Sequence, residues 1–312
     1  MTGPVSIDIN QLEYSVGPGG PVIHIFGRDL NRNAHHLQVT GFRPYFYAPA
    51  AQVDGRAHPA QVTVEEEVAY RSIRGEMLRR LYTIKPTDVR EIRDRYNHYE
   101  ADIPFTTRFM IDTALTGGVS APSEVCMYEE VRPADVSCPA RICILDIECE
   151  DVRGFPDPAR DAVICITCWD SYAGDYTSFI FSPGTDHCDL GVLSTREGLE
   201  NGCFCAGTHD IRTFQTERSM LEAFSGYIRE RDPDILSGWN FLEFDLPYLV
   251  KRMEVLGQNP VSLARLEGMT ERNALRGRTV FDLLSAYRKM HATQQESYRL
   301  DAVAEVEIGE TK

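Results

Sequence analysis

The segment that most restricts this chain is an eight-residue run, Arg141–Glu148 (RICILDIE). It is nearly all apolar and closes on two carboxylates. A short apolar run of this kind reads as a strand buried on both faces, and such strands belong to sheets covered by helices. The downstream segments fit that setting. Ala162–Trp169 and Tyr176–Phe181 read as further strands. Thr216–Arg231 reads as a helix, because Met220, Leu221, Phe224, Tyr227 and Ile228 make one stripe and Pro233 stops it. A short strand over Asp234–Ser237 leads to a second helix from Leu246 to Leu256, with Pro247 in its first turn and Gly257 at its end. Three strands, helix, strand, helix is the order of an α/β sheet domain.

The first part of the chain reads as an α+β domain. Its strand candidates are Val5–Asn10, Val22–Phe26, Pro44–Ala48 and Val62–Tyr70, with a turn over residues 17–20 (GPGG). One helix is expected from Thr87 to Tyr96, where Val89, Ile92 and Tyr96 recur behind Pro86. Breaker-rich stretches at Thr116–Ser123 and Pro133–Pro139 put the boundary between 1–136 and 137–312.

Composition narrows the function. The net charge of −15 and pI near 5.0 argue against a broad basic surface that coats DNA, yet suit an enzyme that holds cations with carboxylates. No apolar run is long enough for a membrane span, and the N-terminus has no secretory pattern. Nine cysteines, several inside apolar runs, fit buried thiols in a reducing compartment; the expected location is cytoplasmic. Cys165 and Cys168 have zinc-like spacing, but they lie in a strand without a second pair. Arg71, Arg74, Arg79 and Arg80 are read as a solvated face or as a phosphate track, and His35-His36 as an exposed loop.

Asp146 and Glu148 stand two apart on a strand and so share a face. Read alone, they are solvated strand-end acids or the start of a cation site. Asp245, at the end of GWNFLEFD, is a helix N-cap or a third ligand. Together the three would make a cluster of hard oxygen ligands suited to Mg²⁺ or Mn²⁺. Two such ions could clamp a phosphodiester, activating water on one side and the leaving 3′-oxygen on the other.

Asp146-Ile-Glu, followed later by Asn240-x-x-x-Phe244-Asp245, resembles the first two motifs of the 3′–5′ proofreading exonuclease of family B DNA polymerases. Asp232-Pro-Asp-Ile-Leu, Phe244-Asp-Leu-Pro-Tyr-Leu, Gly277-Arg278, Phe281-Asp282-Leu283 and Tyr298-Arg-Leu-Asp-Ala-Val agree in order and spacing. Phe42-Arg-Pro-Tyr-Phe-Tyr and Asp102-Ile-Pro-Phe-Thr-Thr-Arg108 resemble the N-terminal domain of the archaeal branch. The resemblance implies a ribonuclease H-like exonuclease domain with a mixed sheet, belonging to a replicative DNA-directed DNA polymerase. It makes Asp146, Glu148 and Asp245 catalytic metal ligands, and has Asn240 and Phe244 hold the strand end. It implies single-stranded and primer-template DNA as partners, with a sliding clamp engaged elsewhere in the polymerase.

It further implies a template-uracil pocket built by Tyr14, Pro44, Tyr45, Pro86, Val89, Ile103, Phe105 and Arg108. Cys149 stands where the family commonly has Thr. The family's third exonuclease motif and its palm motifs are expected beyond Lys312, so weak metal binding and slow nuclease action are expected of these 312 residues. Two alternatives stay open: a non-catalytic module that binds single strands or uracil, and a stand-alone repair exonuclease.

Overall fold

Two sheets organise the first of two compact units, Met1–Pro139 and Ala140–Lys312, in a computed structural model that describes residues 3–65, 70–184, 209–268, 275–291 and 295–309. In chain order the first unit runs β1 (Val5–Gly17), β2 (Gly20–Arg28), β3 (Ala34–Thr40), β4 (Tyr45–Pro49), α1 (Ala50–Val53), β5 (Val62–Val64), β6 (Tyr70–Arg71), β7 (Met77–Thr83), α2 (Pro86–Ile92), α3 (Phe105–Asp112), β8 (Gly118–Ala121), β9 (Val125–Met127) and β10 (Arg132–Ala134). One sheet has the order β10-β8-β1-β2-β3-β9; in the other, β7 lies between β4 and β5 and also pairs with β6. Ile7, Ile23, Ile25, Leu37, Phe109 and Val119 fill the core of the first sheet, while Phe46, Ala48, Leu81 and Ile92 fill that of the second.

Three expectations for this unit change. The helix expected over Thr87–Tyr96 ends at Ile92 and tightens into a 3₁₀ turn over Arg93–Arg95. The segment Val62–Tyr70 splits into β5 and β6, and the residues between 65 and 70 lie outside those described. His35-His36 is not an exposed loop. It lies on β3, whose alternation sends the rings opposite ways. His35 bridges Asp29 (3.3 Å) and Glu124 (3.0 Å), while His36 hydrogen-bonds His24 at 2.8 Å and stacks on Phe26.

The arginine run is also divided. Arg79 pairs with Asp54, whereas Arg80 lies within 6 Å of four tyrosine rings, with Tyr82 and Tyr47 accepting its hydrogen bonds at 3.0 Å. Cation–π contact and hydrogen bonds account for an arginine on a half-buried strand, so Arg80 does not track phosphates.

The second unit is one mixed sheet with helices. Its elements are β11 (Ile142–Cys149), β12 (Val163–Asp170), β13 (Asp175–Phe181), β14 (His209–Phe214), α4 (Glu217–Arg231), β15 (Ile235–Gly238), α5 (Asp245–Val255), β16 (Thr279–Asp282), α6 (Leu283–Met290) and α7 (Leu300–Ile308). The sheet order is β14-β13-β12-β11-β15-β16, with β11, β12 and β13 antiparallel in sequence and the other pairings parallel. Thr216 caps α4, its Oγ1 accepting the Ser219 amide at 3.1 Å. The stripe read from the sequence is buried, since Met220, Leu221, Phe224 and Ile228 are at most 1% exposed.

One expectation for the strand at the centre does not hold. Cys143, Leu145 and Ile147 enter the core, but Ile144, Asp146 and Glu148 are exposed. The strand is covered on one face only among the described residues. The apolar run misled because Ile144, at 36% exposure, continues the pattern on the open face. No helix of the described residues is long and apolar enough to cross a membrane.

Candidate functional site

The open face of β11 presents Asp146 and Glu148 together, as their spacing requires. β11 is held in place from both sides: Asp146 registers with Thr167 of β12, and Ile144 with Ser237 of β15. The approach of β15 is close. A Cβ built on Gly238 would stand 2.5 Å from the Leu145 carbonyl oxygen, so this position tolerates only glycine.

After Gly238 the chain turns through Asn240, whose φ of +62° is left-handed, a region asparagine tolerates better than most residues. The Asn240 carbonyl accepts the Phe244 amide at 3.0 Å. Asp282, at the end of β16, accepts the Leu242 amide at 2.9 Å and caps α6 through the Ser285 amide at 2.7 Å. This loop delivers Asp245 as the first residue of α5. Phe244, not Asp245, occupies the N-cap position. The Asp245 carboxylate instead accepts the amide of Ile147 at 3.2 Å, and it is only 2% exposed. A residue 98 positions away in sequence is thereby tied to the backbone of the strand that carries both acids.

Electrostatics single out Asp245. Burial, the nearby Asp146 carboxylate and Asp282 push Asp245 up to about 7, against the pull of the Ile147 amide. A buried carboxyl that also faces another carboxylate gains from a nearby hard divalent cation, which relieves the repulsion. Asp146, Glu148 and Asp245 fit such an ion by donor type. Among the described residues, however, no three His, Cys, Asp or Glu side chains converge tightly enough to hold a metal by themselves. Cys149 is not a ligand. Burial pushes its thiol up to about 12, so it stays neutral beside the acids. Cys165 and Cys168 fall on opposite faces of β12, which removes the zinc reading.

Aromatic rings gather around Phe244, the residue before Asp245. Phe244 is half-buried and lies against Tyr248 at 5.6 Å and Phe155 at 5.8 Å. Phe155 was not singled out from the sequence. It is 83% exposed, in the loop between β11 and β12, and its only sequence signal is a large apolar residue amid DVRG and PDP.

A second feature belongs to the first unit. Tyr14, Pro44, Tyr45, Pro86, Val89, Ile103, Phe105 and Arg108 all line one cavity of about 470 Å³. Behind its wall, the Tyr45 hydroxyl donates to Asp112 at 2.7 Å. Arg108 is buried, donates to Glu100 at 2.7 Å and lies 4.9 Å from the Tyr45 ring. Arg108 therefore serves the wall and is not placed as a free phosphate contact. Glu100 and Asp112, which tether these two residues, were invisible in the sequence because their partners come from other elements.

Residues 96–303 match the model of the DNA polymerase family B exonuclease domain. The DNA polymerase delta catalytic subunit of Oryza sativa subsp. japonica is 28% identical over 96% of this chain and 33% of its own length. A DNA polymerase of Thermococcus kodakarensis is 27% identical over 96% of this chain and 17% of its own length. The solved family B DNA polymerase of Pyrobaculum calidifontis aligns at a TM-score of 0.69 with 24% identity, over 97% of this chain and 39% of that one. The chain thus spans about a third or less of the length of these two curated relatives. With two thirds of its residues inside the family model and its acids at one sheet end, this chain belongs to DNA polymerase family B and carries that family's exonuclease domain.

Proposed function

We propose that the second unit trims single-stranded DNA from its 3′ end, as the proofreading part of a larger replicative DNA polymerase. The observation that supports this reading is the hydrogen bond from the Ile147 amide to Asp245, which ties Asp245 to the strand that carries Asp146 and Glu148. Phe244 and Phe155 offer ring faces to the terminal bases, a mode of binding that is tolerant of sequence. Asn240 supplies a polar group at the strand end. Asp146, Glu148 and Asp245 would hold Mg²⁺ or Mn²⁺, which supply an activated water and stabilise the leaving 3′-oxygen.

The test is shortening of a 5′-labelled single strand in Mn²⁺. Wild-type protein yields a ladder from the 3′ end, and Asp146→Ala removes it. Cleavage that survives Asp146→Ala overturns the assignment. Phe155→Ala should raise KM for the strand roughly tenfold and leave kcat near wild type, since one base stack contributes about 1–3 kcal/mol. An unchanged KM would exclude Phe155 from strand binding.

A second reading concerns the first unit, and it rests on the convergence of all eight expected positions in one cavity. A flipped template uracil would lie against Pro44, Tyr45, Pro86 and Phe105, and a tight wall would reject the 5-methyl of thymine. Fluorescence anisotropy on paired strands, one uracil replacing one thymine, should show roughly 10- to 100-fold preference for uracil, the range for one excluded methyl group. Val89→Gln should abolish the preference by filling the cavity. Equal binding of the two strands by wild type would dismiss the uracil reading.

A further inference from the structure

Directly paired residues on neighbouring antiparallel strands share a face of the sheet, with Cβ atoms about 4.5–5.5 Å apart. Three such rows start from the open face of β11. The row through Ile144 continues as Trp169 and Tyr176, and the row through Glu148 as Cys165 and Ile180. The row through Asp146 carries hydroxyls instead: Thr167 on β12 stands opposite Asp146, and Ser178 on β13 stands opposite Thr167. Thr167 Oγ1 and Ser178 Oγ are 2.8 Å apart, and Ser178 Oγ is 2.9 Å from Nε2 of His209, on the edge strand β14. Ser178 is 4% exposed, too little to touch a DNA strand, while Thr167 and His209 are half-buried. Cys165 joins from the side, its Sγ 3.7 Å from Thr167 Oγ1. Burial first, then Glu148 and Asp146, push its thiol up against the pull of the Thr167 hydroxyl, so both acids act on this end of the row.

We propose that Thr167, Ser178 and His209 relay a proton from the acids to the edge of the sheet. The proposal rests on the nuclease reading and deepens it. A hydroxyl donates one hydrogen bond and accepts others, so the bonds of such a row turn together. With Nε2 of His209 accepting, Ser178 donates to His209 and Thr167 donates to Ser178. Thr167 Oγ1 is then left to accept a proton from the side of Asp146. Water that attacks the last phosphodiester gives up a proton as its oxygen bonds to phosphorus. That proton passes to Thr167 Oγ1, across one cross-strand spacing that a further water can bridge. Thr167 hands its own proton to Ser178, and Ser178 hands its own to His209 Nε2. The bond from phosphorus to the 3′-oxygen breaks, and the 3′-oxygen keeps the electron pair and takes a proton from solvent. The imidazolium returns one proton to solvent, so none is gained or lost over the cycle. Imidazole suits the end of the relay because it both accepts and releases a proton near neutrality, which neither hydroxyl does.

Shortening of a 5′-labelled single strand by the whole chain in Mn²⁺, resolved into kcat and KM, tests this. Thr167→Val, Ser178→Ala and His209→Gln should each lower kcat roughly tenfold to a hundredfold, the lower range for a lost proton-transfer group. KM should stay at the wild-type value, because none of the three side chains holds the strand. Thr167→Ser, which keeps the hydroxyl, should recover most of the rate that the isosteric Thr167→Val loses. Ser178→Ala combined with His209→Gln should be no slower than either alone, since one break already stops the relay. A purely structural role would give losses that multiply and a KM that moves, and that pattern overturns the proposal. If Asp146→Ala removes the ladder while Ser178→Ala or His209→Gln keeps the wild-type kcat, the relay falls and the nuclease reading stands. If wild-type protein gives no ladder, or the ladder survives Asp146→Ala, the nuclease reading has failed and the relay falls with it.

Discussion

Asp245→Asn should make the metal-free protein more stable at pH 8 and at the same time reduce its nuclease rate by on the order of a hundredfold or more. Both effects come from one charge. In the folded chain Asp245 holds its proton up to about pH 7, against an ordinary value of 3.8, because it is buried and faces Asp146. A group whose pKa is raised on folding costs nothing below its unfolded value. The cost grows as pH rises through the window from about 4 to about 7 and is fully present above it. At about 1.36 kcal/mol per unit the ceiling is about 4 kcal/mol, and relaxation around the site should leave about 1–3. Asparagine keeps an oxygen for the Ile147 amide and removes the charge.

Thermal melts in chelator at pH 5 and pH 8 check this. The variant should exceed wild type at pH 8 and the two should approach each other at pH 5. Mn²⁺ should then raise the melting temperature of wild type more than that of the variant, since a bound cation relieves the repulsion. A variant less stable than wild type at pH 8 would mean that the carboxylate is not strained by its surroundings.

Gly238→Ala should act through the backbone. Its new Cβ would stand 2.5 Å from the Leu145 carbonyl oxygen, an approach that real Cβ atoms do not make, so β15 must move off β11. That pairing aligns Ile142, Cys143 and Ile144 with Ile235, Leu236 and Ser237, immediately before the two acids. The cost should be about 2–4 kcal/mol, which lowers the melting temperature of a unit this size by about 5–15 °C. Nuclease activity should fall further than the fraction unfolded accounts for, because Asp146 and the Asn240–Asp245 loop are carried by the displaced strands. Activity measured well below the melting temperature separates the two contributions. A variant with wild-type stability and rate would show that the strands accommodate the methyl group without moving the site.

Much of the architecture could be read locally. The 3.6-residue stripe of α4, its stop at Pro233 and the two-residue spacing of Asp146 and Glu148 depend on neighbours in sequence, and each is found where the pattern places it. The motif order was legible for the same reason, and it led to the family that residues 96–303 match. The same local logic failed where a side chain's partner is remote. β7 was missed because Arg79 and Arg80 read as solvated, while the tyrosines that receive Arg80 come from β4, β6 and β7 itself. His35 read as a loop residue because Glu124, 89 positions away, could not be seen to meet it.

By itself, then, the sequence determined the periodic elements, the pair of carboxylates on one strand face and the family. Tertiary structure alone decided that β11 is open on that face among the described residues, that Asp245 binds the Ile147 amide rather than capping its own helix, and that eight scattered residues line one cavity. The division has a physical cause. Periodicity and capping are set by residues within a turn or two of each other, whereas burial, proton affinity and cavity shape are sums over atoms that only the folded chain brings within a few ångströms.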